Sequence, residues 1–439
     1  MKNIVTIVLL FLLAFPASSA NGNTLGWKTY LSYNNTNCVE ESADQVFVVA
    51  EGALYTYGKE DNGIKQYYKG NGLNDTDIQF ISYNKQTRSL LIVYKNCNID
   101  ILQEGVIKNL PYLYTTTSIR GKEVNSVMIH NEYAYLSIKS GIVVVDMEKK
   151  EITDTYNLSM NITSCAILNN RIYASTTEPA RILHASLKDN LLDKTNWKSY
   201  TIPGFPVDNS VDKVILFNNQ LFYLSKNKGV YYESGGTTAT LVSNASMNNM
   251  KVIGDKLACI ANSRVYLFTN TKTFDQINNL TIKDISTYQT NTYWIAEGDK
   301  GLRSIKRTGT NRFEAVNEAI TLDGPYFNSS YKIVCKNDNV YVIPGGKGIT
   351  DGTWFNKWGL VMIYDYDKWT ALEPSTVQNK LTVWPHAYPR PILPEKKTYM
   401  YHLSVMVFFN SQTENLPLFM TKETVRSKTQ ITIPELIAV

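Results

Sequence analysis

Past its first twenty residues the chain has no apolar run long enough to cross a bilayer as a helix. Histidine is scarce: His130, His184, His386 and His402 are the only four. No H-E-x-x-H helix and no G-x-S-x-G elbow occurs, so the common metalloprotease and hydrolase signatures are missing. The net charge of +5 is slight for 439 residues and no basic block stands out, which gives nucleic-acid binding no support. The five cysteines (Cys38, Cys97, Cys165, Cys259, Cys335) are widely spaced and form no C-x-x-C pair. That argues against a zinc site or a dense disulfide framework. Buried free thiols are the expectation, with one or two long-range disulfides as the alternative.

The apolar run that does exist is at the start. "MKNIVTIVLLFLLAFPASSA" has Lys2 ahead of an apolar stretch from Ile4 to Phe15, with Ser18 and Ala20 at small-residue positions before a cut. This is the pattern of a secretory signal over residues 1–20, the alternative being an anchor helix. A periplasmic or cell-surface location follows, with no transmembrane segment after cleavage.

Tyr, Val, Ile and Thr favour half-buried pleated surfaces, and Asn and Gly favour turns. These residues are arranged as a recurring unit: a polar turn, an apolar strand, a few polar residues, and a second apolar strand. "DQVFVVAEGALYTYG" from Asp44, "NEYAYLSIKSGIVVVDM" from Asn131 and "NNQLFYLSKNKGVYYES" from Asn218 are examples. Inner strands precede the units ("VNSVMIH", "ITSCAIL", "VDKVILF", "MKVIG"), and outer strands follow them ("EITDTYN", "NWKSYTI", "KWTAL"). A spacing of about forty residues is that of propeller blades. A large sandwich is the rival. The fold class expected is all-β: a seven-bladed β-propeller over 26–307, then the start of a second propeller over 308–376. An eight-bladed single ring is the alternative. "GWKTY" (Gly26–Tyr30) resembles "DKWTAL" and is expected to supply the last blade's outer strand.

No catalytic residue, metal ligand or cofactor site emerges, so the chain reads as a non-enzyme with no cofactor and an unknown ligand-binding site. His130 reads as a turn residue and His184 as a strand residue. "PGGKGITDG" from Pro344 lacks phosphate-loop spacing and reads as an insertion between two strands of one blade. "KDNLLDKTN" from Lys188 has the wrong spacing for a calcium loop. Trp294, Trp354 and Trp358 would make a ligand platform if exposed, but packing between blades is the plainer role.

"KGNGLNDTDIQFISYN" (Lys69 to Asn84) resembles the regulator-propeller repeat, in which a similar "N-G-L-S-D" precedes an inner strand. Together with "WKTYLSY", "VFVVAEGALYTY", "VYKNCNIDIL" and "AYLSIKSGIVVVDMEKKEITDTY", it resembles the N-terminal propeller of the PorZ family of type IX secretion accessory proteins. The resemblance implies export, two seven-bladed propellers and a C-terminal sandwich-type domain. It also implies a non-catalytic role in attaching cargo to anionic lipopolysaccharide, with protein partners in the attachment complex and a lipopolysaccharide or glycan ligand. A periplasmic glycan-sensing propeller related to hybrid two-component receptors is the alternative. No family motif assigns a binding residue, and a complete second propeller and a C-terminal domain are not expected in this chain.

The repeat stops near Leu372. From the third base of each codon, Phe409 to Ser427 admits the reading "QFTDGKLTAFYDKGNSPLE", whose "GKLTAFY" and "FYDKGNSPL" parallel "DKWTAL" and "YYKGNGL". Residues 377–439 are therefore expected to be a frame-shifted, disordered tail of a truncated chain, with the break between Val377 and Pro385. An authentic divergent tail is the alternative.

Overall fold

The computed structural model describes residues 28–372. It excepts 178–179, 206–209, 244–246, 289–290, 329, 331, 337, 344–345, 348–353 and 356–360. The signal sequence and the tail beyond Leu372 lie outside the described residues, and so do the readings that fall on them. Residues 1–30 are a separate unit, of which Lys28–Tyr30 are described, in no strand.

From Leu31 on, short strands alternate with tight turns. Asn169–Asn170 and Asn218–Asn219 hold φ between 47° and 59°. Two left-handed residues in a row make a type I′ turn, whose twist suits a hairpin, and Asn tolerates that conformation. The paired asparagines of the repeat are thus the hairpin corners between first and second strands.

Seven four-stranded antiparallel sheets follow in sequence, each built from four consecutive strands. They are blades 1 to 7, at 36–67, 78–109, 124–157, 162–200, 213–243, 247–278 and 284–315. The innermost strand of each comes first, from Thr36–Glu41 in blade 1 to Asp284–Ser286 in blade 7. The second strands are almost wholly buried; Ser89–Tyr94 is buried at every position. Such a strand packs a neighbouring blade on each face.

The core accordingly divides into seven clusters, one per junction between adjacent blades. The seventh junction joins Val39, Val46 and Tyr55 of blade 1 to Trp294, Ala296 and Leu302 of blade 7. The ring therefore closes with seven blades, which overturns the eight-bladed alternative. The described part of Gly26–Tyr30, residues 28–30, forms no strand. The outer place in blade 7 is taken by Arg312–Ala315, paired with Leu302–Gly309. A local hairpin through Asn311 (φ 55°) fills that place with little loop to close, so no distant strand is needed.

Closure instead uses a strap formed by the chain after blade 7. Ile320 and Leu302 exchange main-chain bonds of 2.7 and 2.9 Å. The strap then reaches blade 1: Ser32 N donates to Asn328 Oδ1 (2.6 Å), Ser32 Oγ to Tyr326 O (3.0 Å), and Asn328 Nδ2 to Glu51 O (3.1 Å). Beneath it, Thr36 and Gly298 exchange main-chain bonds of 3.0 and 3.1 Å across the seam.

An eighth sheet at 332–372 lies beyond the ring, in the order Lys332–Lys336, Asn339–Ile343, Val361–Tyr364, Trp369–Leu372. Among the described residues, its two apolar faces gather only its own side chains and Phe327. Asn339–Ile343 pairs directly with Val361–Tyr364, so the insertion around "PGGKGITDG" does run between two strands of one sheet. Gly346–Lys347 and Trp354–Phe355 pair within it.

Candidate functional site

The innermost strand of a blade has one partner strand, so its channel-facing edge leaves N–H and C=O groups without a ladder. Side chains from the neighbouring inner strands satisfy them. Gln79 Nε2 donates to Val124 O (3.1 Å) and Asn125 Nδ2 to Ile162 O (2.7 Å). Ser164 Oγ accepts from Val214 N (2.7 Å), and Asp284 Oδ2 from Val39 N (3.0 Å). The axial channel is thereby lined with polar side chains that cross-link one blade to the next.

Its charged segment lies at the seam. Lys251 Nζ reaches from blade 6 to Asp284 Oδ2 (3.1 Å) of blade 7, then to Glu40 Oε1 (2.9 Å) and Val39 O (3.1 Å) of blade 1. Burial alone would lower the Lys251 pKa, but Asp284 and Glu40 outweigh it and hold the ammonium above its ordinary value. Burial pushes the Glu40 carboxyl up, with Lys251 opposing. Beside them Lys213 Nζ donates to Asn249 Oδ1 (3.0 Å). Burial, with Lys251 adding to it, lowers Lys213 to about 8. Two carboxylates and two ammonium groups balance, an arrangement that fastens a seam.

A cleft of about 340 Å³ opens where the strap crosses the seam. Asn34 and Asn35 just ahead of blade 1, Glu51 within it, Lys283 just ahead of blade 7, Asp299 within it, and Tyr326 and Phe327 of the strap line it. Tyr326 is partly exposed and stands edge-on to Phe327 with centroids 4.8 Å apart. Hydrogen-bonding side chains around an exposed aromatic suit a polar ligand with an apolar face.

The residues singled out from the sequence do not converge. His130 is the last residue of the inner strand Val124–His130, opposite Tyr133, and not a turn residue. His184 sits in Ala180–Ser186 of blade 4, stacked on Tyr173 at 5.9 Å. Burial lowers both imidazoles. Trp294 is buried in the seam against Tyr57 at 5.3 Å, a packing role. The side chains of Trp354 and Trp358, together with His386 and His402, lie outside the described residues. All five cysteines are free, and burial pushes the Cys38 and Cys165 thiols up to about 12. Among the described residues no group of three or more His, Cys, Asp or Glu could hold a metal. None of their helices is long and apolar enough to cross a membrane.

Sequence reasoning missed Glu40, Lys213, Lys251 and Asp284. The signal was there: a lysine interrupts each of the inner strands "VDKVILF" and "MKVIG", where an apolar residue would be unremarkable.

The fold and site define a β-propeller with a polar, cross-linked channel and a cleft on its closing strap. Residues 46–198 match the family described as TSS9, PorZ, N-terminal beta-propeller domain. The chain as a whole resembles PorZ of Porphyromonas gingivalis, described as an essential bacterial surface component of the type-IX secretion system. The two share 27% identity over 81% of this chain and 47% of that one, with a TM-score of 0.72. This chain is thus PorZ-like, and it spans about half the length of that relative. YCF48 bound to D1 peptide matches at 10% identity over 65% of this chain and 97% of that one, with a TM-score of 0.47. The WD40 propeller of Doa1 matches at 11% over 64% and 98%, with a TM-score of 0.49. No curated protein matches the sequence.

Proposed function

We propose that this chain is an exported, non-catalytic binding and scaffold component of type IX protein secretion that serves attachment of cargo at the cell surface. The observation that carries the reading is the likeness to PorZ, at 27% identity across 81% of the chain. On this reading residues 1–20 are removed on export, the ring at 36–315 is the binding body, and the residues that follow it to 376 begin a second propeller ahead of an out-of-frame tail. The lack of a convergent nucleophile, base or metal cluster among the described residues is compatible with binding rather than turnover. Protein partners would engage the rigid ring, and anionic lipopolysaccharide or a related glycan would lie in the strap cleft, its sugar face on Tyr326.

The test is biolayer interferometry of the purified chain against anionic lipopolysaccharide and, separately, purified attachment-complex proteins. Binding to at least one is expected. Tyr326→Ala should weaken lipopolysaccharide binding about tenfold, or roughly 1.4 kcal/mol. No binding to either class would contradict the reading, and binding unaffected by the substitution would move the ligand out of the cleft.

A further inference from the structure

A propeller exposes the outer edge of every blade, and each such strand is a ready template for another chain. Six of the seven outer strands carry charge, among them Lys65, Lys108, Glu151, Lys198, Asp275 and Arg312. Blade 5 differs. Its outer strand Thr237–Ser243, "TTATLVS", has no charge and no proline, and the sequence from Ser234 to Met250 contains no charged residue. It is as long as the charged Glu151–Asn157 of blade 3, and the other outer strands are shorter.

The surroundings are apolar on one side. Leu241 and Tyr232 of blade 5 are only partly buried, packed on the same cluster as Tyr266 of blade 6. Phe274, on the outer strand of blade 6, is 41% exposed, with its ring 4.9 Å from that of Phe268 and 5.8 Å from that of Tyr266. The far end is partly shielded, since Thr238 Oγ1 donates to Pro203 O (2.5 Å). Thr240 and Ser243 remain exposed.

We propose that the outer edge of blade 5 is a self-association surface, at which a second copy of this chain adds its own Thr237–Ser243 antiparallel to make one continuous sheet. The occupant follows from symmetry and charge. A two-fold axis brings each edge against itself, so a charged edge meets its own charge, while an uncharged edge meets none. The axis that pairs antiparallel edges stands perpendicular to the joined sheet. It therefore keeps blade 6 of both copies on the same side, where the two exposed Phe274 rings share a covered surface. Blade 5 is the one edge of the ring that meets both conditions.

Sedimentation equilibrium of the full chain over a concentration series tests this. The expected result is a shift from the mass of one chain to that of two as concentration rises. Thr240→Lys places a charge beside its own copy and should abolish the dimer with an unchanged thermal melt. Thr155→Lys, on the blade 3 edge, should leave the dimer fraction as in the wild type. A single-chain mass at every concentration overturns the proposal, as does a dimer that Thr240→Lys leaves intact.

Discussion

Asp100 shows how one buried residue organises a blade. It is fully buried and accepts from Tyr94 Oη (2.6 Å), Asn109 Nδ2 (2.8 Å), and the main-chain and side-chain nitrogens of Asn74 (2.9 and 3.0 Å). Asn74 belongs to the "NGLND" motif, which therefore works as a latch from the approach loop onto its own blade. Asp100→Ala would leave Tyr94 Oη and Asn109 Nδ2 without that partner in a dry site. It should cost about 3 kcal/mol, read as a Tm fall of roughly 6–12 °C by scanning calorimetry. Lys213 makes a second prediction at this scale. Its folded pKa of about 8 lies below the unpaired value of 10.5, so between those pH values the unfolded chain holds a proton that the folded chain has released. Stability from this group therefore rises with pH across that window and is lowest below pH 8. The charges of Lys251, Asp284 and Lys226 act on Lys213, and Glu40 on Lys251, but Lys213→Met isolates the effect. The half-buried side chain is screened by water, so the expected change in the stability gap between variant and wild type is about 2 kcal/mol from pH 8 to 10.5. Urea unfolding at a series of pH values measures it; a gap constant with pH would remove Lys213 from the buried set.

At the scale of elements, the strap decides closure. Gly324 lies so close to the segment leading into blade 1 that a Cβ there would stand 2.6 Å from the Leu31 carbonyl oxygen. Gly324→Ala should push the strap outward and raise hydrogen exchange at Thr36 and Gly298, whose amides bridge the seam. Deleting residues 316–439 should lower stability by about 3 kcal/mol, while deleting 332–439 should change it little. The reason is that, among the described residues, the eighth sheet shares no core cluster with blades 1 to 7. The inner strands "ITSCAIL" and the outer strand "EITDTYN" were legible residue for residue, because apolar runs and asparagine corners mark them. Closure was not. The strap bonds loop to loop through Asn328, Tyr326 and Ile320, which have no period and stand far in sequence from their partners. The likeness of "GWKTY" to an outer strand was a local pattern, and the outer place in blade 7 goes to Arg312–Ala315.

For the whole molecule, the strap breaks the seven-fold repetition of the ring at the seam. The cleft and the charged belt both lie at the seam, the one place where chain from the two ends of the ring meets. No two of the four belt residues are near each other in sequence: the smallest separation, between Lys251 and Asp284, is 33 residues. Their convergence is a product of closure, which is why the sequence showed the lysines without showing a site. The proposed role depends on this body being needed for surface attachment in the bacterium that makes it. The most direct measurement is deletion of the gene there, followed by fractionation of type IX cargo, with the wild-type gene restored as control. The account predicts that cargo leaves the cell surface, accumulates inside the envelope without its lipopolysaccharide, and returns on restoration. Cargo that stays at the surface, with its lipopolysaccharide, in the deletion strain would contradict it.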